Sequence, residues 1–213
     1  MNRSYPWKGG EERLRTQGER LPVQVLILPA LFDEANRMRR FTVQLMHALV
    51  GHGIGSLLPD LPGTGESPID LADVRWSDWT DAIAVVADRL PDGDRLSVAI
   101  RGGALLDRAV GGSAAVRAWQ FSPDTGQRVI ADMRRGLQVA RRAVPGYPMT
   151  DAFAAALLAA APGAADRVVR LASDPAAADR HVPGPPLWRR AEPGEDDDLV
   201  ARIGRDIADW ARR

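Results

Sequence analysis

Apolar residues along this 213-residue chain fall into two alternating patterns. Short aliphatic runs at Val23 to Leu28, Ile54 to Leu58, Leu96 to Ile100, Ala114 to Phe121 and Val168 to Ala172 suit strands buried on both faces, as in a parallel sheet covered by helices. Between these runs the apolar residues recur at three- and four-residue spacing. Met38, Phe41, Leu45, Met46 and Leu49 predict an amphipathic helix from Asn36 to about Leu49, stopped by Gly51. Trp79, Ile83, Val86 and Leu90 predict another over Trp76 to Leu90. Further helices are expected at Ala104 to Val110, at about 125–142 and 150–161, and from about Asp197 to Ala211. Strands alternating with helices predict an α/β fold with a mostly parallel sheet flanked by helices. Residues 1–20, with Gly9–Gly10 and scattered charges, predict a flexible lead-in. Residues 21–213 show no repeat and no linker, and predict one domain.

Composition narrows the function classes. Lys+Arg and Asp+Glu both total 28, so no global field draws the chain to nucleic acid or an anionic membrane. The absence of cysteine removes disulfides, thiolate metal sites and cysteine nucleophiles. No apolar run approaches the roughly 18 residues of a membrane span. The polar start, MNRSYPWKGGEERLRTQGER, has no secretory apolar core. A cytoplasmic protein without a transmembrane segment and without a nucleic-acid partner is expected. No metal-binding motif and no cofactor fingerprint is present; Gly63-Thr64-Gly65 lacks the third glycine of a dinucleotide loop.

In open α/β sheets, ligands bind beyond the carboxyl ends of the strands. Three such ends carry candidate chemistry. Pro29 to Arg40 brings Asp33, Glu34, Asn36, Arg37, Arg39 and Arg40 to a helix start, where Asp33 or Asn36 could equally be a cap. Asp60 to Ser67 is a glycine-containing loop. The third end, Ala99-Ile100-Arg101-Gly102-Gly103, has the strand-to-helix position and small flanks of a G-x-S-x-G nucleophile elbow, with arginine at its apex. Arginine stays protonated and is neither nucleophile nor base, but it can hold an anion with the free amides of a helix start. Ser113, in Gly111-Gly112-Ser113-Ala114-Ala115, lies between a helix and a strand and so has the wrong order for an elbow; Ser97 opens its strand rather than ending it.

In order, these loops resemble the α/β-hydrolase superfamily, with Asp60 to Ser67 similar to its D-x-x-G-x-G-x-S loop. More narrowly, the chain resembles the exosortase A system-associated hydrolase 2 family, bacterial proteins encoded beside exosortase and exopolysaccharide loci. Pro29, Glu34, Asn36, Arg39 and Arg40 match its P-P-F-x-E-E-x-N-x-x-R-R segment, and Arg101-Gly102-Gly103-Ala104-Leu105 its R-x-G-A-L elbow, where arginine also replaces serine. Trp119-Gln120 with Gly126, Gly146-Tyr147, and Gly184-Pro185-Pro186-Leu187-Trp188 continue the likeness, which spans about residues 20–205. The resemblance implies a small, lid-less α/β-hydrolase-like fold with Leu31 and Gly102 on the oxyanion side. Asp174 to Val182 is too short for a full parallel crossover, so a C-terminally trimmed version with its last strand missing or altered is expected.

A serine triad needs convergent serine, acid and histidine. Asp174 follows a predicted strand and His181 is the one histidine near it; His47 and His52 belong to the helix from Asn36 and its end. Three readings stand at this stage. The chain is an ester or thioester hydrolase in which Glu34 or Asp33 activates water while Arg101 and Gly102 bind an oxyanion. It is a non-catalytic protein in which Arg101, with Arg39 or Arg40, binds a small anionic or acyl ligand. Or it is an accessory whose partner lies in exosortase or exopolysaccharide machinery, an expectation that rests on the resemblance.

Overall fold

The computed structural model describes residues 2–8, 10–91, 93–111, 116–139 and 147–213. Its strands are β1 (Asn2–Trp7), β2 (Gly10–Gln17), β3 (Val23–Leu28), β4 (Ile54–Pro59), β5 (Arg95–Ile100), β6 (Val116–Phe121), β7 (Arg167–Leu171) and β8 (Arg180–Val182). The helices are α1 (Asp33–Gly51), α2 (Trp76–Ala87), α3 (Asp107–Gly111), α4 (Gly126–Val139), α5 (Asp151–Ala159) and α6 (Asp197–Ala211). One eight-stranded sheet runs in the order β1-β2-β4-β3-β5-β6-β7-β8, antiparallel at β1/β2 and β2/β4 and parallel elsewhere.

The aliphatic runs become the sheet's centre because both their faces are covered. Along β3, Val25 and Ile27 face one core layer and Leu26 and Leu28 the other, all four at 0% exposure. The first layer is closed by Met38, Phe41, Leu45 and Leu49 of α1 and by Leu199, Ile203 and Ile207 of α6. The second is closed by Trp79 and Ile83 of α2 and by Phe153 and Leu157 of α5. Each such buried side chain contributes about 1.5–3 kcal/mol relative to exposure, so the stripes read from the sequence are the main attachment of these helices.

Three expectations are corrected and a fourth is met. Residues 2–17 are not a flexible lead-in; they form a hairpin that extends the sheet through β4. The inward positions of β2 are Glu12, Leu14 and Thr16, so two of three are polar and the alternation that marks a half-buried strand is hidden. Helix α1 starts at Asp33, so Asp33 and Asn36 lie inside it; Phe32 is its cap residue, without a side-chain cap bond. Helix α2 ends at Ala87, before Leu90. The C-terminal trimming expected from the sequence is seen: the last strand, β8, is altered to three residues, parallel to β7 and reached without a helix. It pairs over three residues, about 10 Å, so the eight residues 172–179 suffice to return the chain without a helix. Ser113 and Gly146 lie outside the described residues.

A buried polar cluster ties α3 to the sheet. Asp107 is 3% exposed and accepts hydrogen bonds from Ser97 Oγ (3.0 Å) and Gln120 Nε2 (2.6 Å). Burial pushes its carboxyl up to about 6 from 3.8, against the opposing pull of Gln120 and Ser97. The folded protein thus keeps a proton that the unfolded chain releases near pH 4. This contribution is complete below the unfolded value and is lost as pH rises through about 6. Asp107→Asn retains both partners, with its amide donating to Ser97, and ends the cost of ionisation. It is expected to raise stability at pH 8 by roughly 3 kcal/mol, with the two proteins converging toward pH 4, as read by thermal unfolding across that range.

Candidate functional site

Three neighbouring parallel strands end in strained backbone. Phe32 beyond β3 has φ 56°, Arg101 at the end of β5 has φ 55°, and Ser122 at the end of β6 has φ 44°. Positive φ in non-glycine residues is costly and concentrates at functional sites. After Arg101 the chain enters a tight 3-10 turn, Arg101–Leu106. A Cβ on Gly103 would strike the carbonyl oxygens of Leu28 and Pro29, and one on Gly102 would press Leu31 and Val129 at 3.1–3.2 Å. The two glycines therefore let the bend sit directly against the end of β3.

The Arg101 side chain, 7% exposed, has most of its donors engaged. Its Nε and Nη2 donate to the two oxygens of Glu34 at 3.1 and 3.0 Å, a two-pronged fork. Nη2 also donates to Asp124 Oδ2 at 2.8 Å and Nη1 to the Ser122 carbonyl at 2.9 Å. Four of its five N–H bonds thus have protein acceptors. The guanidinium carbon lies 4.3 Å from the Trp188 ring centroid, a cation–π contact. Trp188 is in turn held through its carbonyl, which accepts from Arg37 Nη1 at 3.2 Å. The local sum is one cation between two carboxylates, all three side chains under 15% exposed.

Above this cluster lies a cleft of about 910 Å³. Its charged lining is five carboxylates (Asp33, Glu34, Asp124, Asp132, Asp174) and five arginines (Arg37, Arg101, Arg128, Arg135, Arg189). Asp33 Oδ1 accepts from Tyr147 Oη at 2.8 Å; burial first, and then this carboxylate, pushes the Tyr147 phenol up. Arg128, with its side chain 70% exposed, stands 3.8 Å from Asp124.

The residues named from the sequence separate into groups. Glu34, Arg101, Gly102, Leu31 and Asp174 border this cleft or the bend beneath it. Asp174 accepts from Arg170 Nη1 (2.8 Å) and the Ala176 amide (3.0 Å). Burial opposes its ionisation, but these donors win and hold the carboxyl below the ordinary value. His181 is not brought to Asp174: it is exposed on β8, its Nε2 3.1 Å from the Ala176 carbonyl. Asn36 and Arg39 line a smaller groove on the other side of Leu31 and Phe32, and Arg40 pairs with Glu195 at the surface. The arginine pair expected around one anion is thus split, because Arg39 and Arg40 lie five and six residues along α1 from Glu34, which holds Arg101. His47 and His52 stay with α1 and its end.

No protein-family model matches the sequence, and no curated protein matches it. Solved structures do. Proline iminopeptidase from Mycobacterium smegmatis is similar over 100% of both chains, with TM-score 0.60 and 13% identity. Alpha/beta hydrolase domain-containing protein 10 from mouse gives TM-score 0.62 at 10% identity, over 100% of this chain and 98% of that one. This chain has the α/β-hydrolase fold. The bottromycin epimerase BotH, solved in complex with bottromycin A2, is similar over 99% of both chains, with TM-score 0.56 and 14% identity.

Within this hydrolase fold, the sequence reading missed Asp124, Ser122 and Trp188 as partners of Arg101. Asp124 was findable, since it follows β6 just as Arg101 follows β5, and the strand-end rule applies to both. Trp188 stood in a recognised segment, but nothing local indicates that it stacks on a residue 87 positions earlier. Among the described residues no group of three or more His, Asp or Glu side chains could hold a metal, and no helix is long and apolar enough to cross a membrane.

Proposed function

We propose that this chain is an α/β-hydrolase-fold protein in which serine-type catalysis has been lost and the cleft over the bend serves to bind a ligand. One observation carries the reading. The guanidinium of Arg101, locked by Glu34, Asp124 and the Ser122 carbonyl, stands where the sequence resemblance puts an attacking hydroxyl. A protonated guanidinium offers no lone pair for attack, and covalent catalysis goes with it. The water-activating alternative finds little support, because both oxygens of Glu34 accept from Arg101 and Asp33 accepts from Tyr147.

The same geometry moves the expected anion contact outward. Arg101 is already neutralised, whereas Arg128 and Arg189 are exposed at the cleft and only loosely paired or unpaired among the described residues. A small anionic or acyl ligand would meet those two side chains. A solved epimerase among the structural neighbours supports a use of this scaffold beyond ester hydrolysis. The resemblance to exosortase A system-associated hydrolase 2 proteins supports a place beside exopolysaccharide machinery.

The test is direct. The wild-type protein is expected to show no fluorophosphonate labelling and no turnover of short p-nitrophenyl esters or acyl-CoA. Arg101→Ser is expected to stay equally inert, since His181 is engaged elsewhere. Labelling of any serine in the wild type, or ester or acyl-CoA turnover by the wild type, would overturn the proposal.

A further inference from the structure

The second, smaller groove differs from the cleft in charge and in wall chemistry. It encloses about 230 Å³ between the amino-terminal half of α1, strands β2 and β4, and the Asp60 to Gly65 loop. That volume is below the roughly 300–1,000 Å³ of sites for drug-sized ligands, so its occupant is small. Where the cleft balances five acids against five arginines, this groove is lined by Arg13, Arg15 and Arg39 against the single carboxylate of Asp60.

The three arginines are not equally committed. Arg13 pairs with Glu66 at 2.5 Å. Arg39 lies 4.0 Å from the same carboxylate, beyond hydrogen-bond distance. Arg15 is half-buried and has no hydrogen-bonding or ion-pairing side-chain partner among the described residues. Asp60 is packed under Gly65, where a Cβ would sit 3.0 Å from its Oδ2, and it accepts the Glu66 amide. Counting Glu66, three cations face two carboxylates, one of them turned into the loop. The uncharged lining is mixed: Leu31, Phe32 and Leu61 give it an apolar side, while Asn36, Thr42 and Thr64 add polar groups. A partly desolvated cation beside an apolar wall favours a ligand that brings one negative charge and a short hydrocarbon.

We propose that this groove binds a small amphipathic carboxylate, its head between Arg15 and Arg39 and its tail against Leu31, Phe32 and Leu61. The site is separate from the cleft over Arg101 and does not depend on how that cleft is used. Leu31 and Phe32, which line both, form the wall between them.

The experiment uses the full chain, with hexanoate, hexanol and inorganic phosphate as probes. Binding is read by calorimetry and by amide chemical shifts. Hexanoate is expected to bind at least tenfold more tightly than hexanol or phosphate, with shifts at residues 58–65 and along α1. Arg15→Gln and Arg39→Gln should each weaken it at least fivefold while leaving the ligand-free melting temperature in place. Arg15→Lys should recover part of the loss. Arg128→Gln should leave hexanoate binding intact, which separates this site from an anion held at the cleft. Equal binding of hexanoate and hexanol, phosphate binding as tight as hexanoate, or shifts confined to the Asp124 and Trp188 region would each overturn the proposal, as would undiminished binding in both glutamine variants.

Discussion

Replacing Asp206 by alanine is expected to destabilise the fold by about 3–5 kcal/mol, the range for removing one partner from a buried charged network. Asp206 sits on α6 at 2% exposure and accepts from three side chains on three strands. Arg167 of β7 approaches in a two-pronged fork at 2.7 and 2.8 Å. Arg180 of β8 adds a 2.8 Å bond and the Trp119 indole of β6 one of 2.9 Å. Arg180, 44% exposed, can return to water, but Trp119 is wholly buried and its N–H would be left without an acceptor. Burial alone would raise the Asp206 carboxyl; the hydrogen bonds from Arg167, Trp119 and Arg180 overcome it and hold the group at about 2. With a depressed folded value, the stabilisation is complete above the unfolded value near 3.8 and is lost as pH falls through about 2. Urea unfolding at pH 7 measures the loss. The gap between wild type and Asp206→Ala should narrow on acidification below pH 4, and a variant within 1 kcal/mol of wild type at pH 7 would show that the hub is not structural.

Arg101→Met carries the second large effect. Methionine keeps a flexible apolar stem that can lie toward Trp188, so part of the packing is kept while the guanidinium and its charge are removed. Glu34 and Asp124, 14% and 6% exposed, then face each other across the empty place with nothing between them. A loss of about 3–5 kcal/mol at pH 7 is expected, arising from the uncompensated carboxylates rather than from the missing contact. Combining Arg101→Met with Glu34→Gln and Asp124→Asn should restore most of the stability. If the triple variant is as unstable as Arg101→Met, the cause is packing and the charge argument fails.

The parts of this structure that could be read from the sequence are those held by hydrocarbon. Val23 to Leu28 is a strand because both faces need apolar residues, and that demand is written in every position. Met38, Phe41, Leu45 and Leu49 give α1 its face in the same way, although its start is set by the Phe32 backbone and not by a capping side chain. The hairpin was not readable because its inward positions include Glu12 and Thr16, whose burial depends on partners as distant as Ser67. The site was half readable. Position 101 marks the bend through its glycines, but the state of its side chain depends on carboxylates 67 residues before it and 23 after. Charge at a loop can be seen in one dimension; its neutralisation cannot.

The sheet's two margins bear on how copies of this chain meet. A free strand edge invites a neighbour to continue the ladder. At one margin β1 carries Pro6, which has no N–H to offer, and the charged Arg3. At the other, β8 is three residues long and displays Arg180 and His181. Pro6 interrupts the donor row at one rim and the shortness of β8 limits pairing at the other, so both ends of the sheet carry features that oppose edge-on stacking of copies.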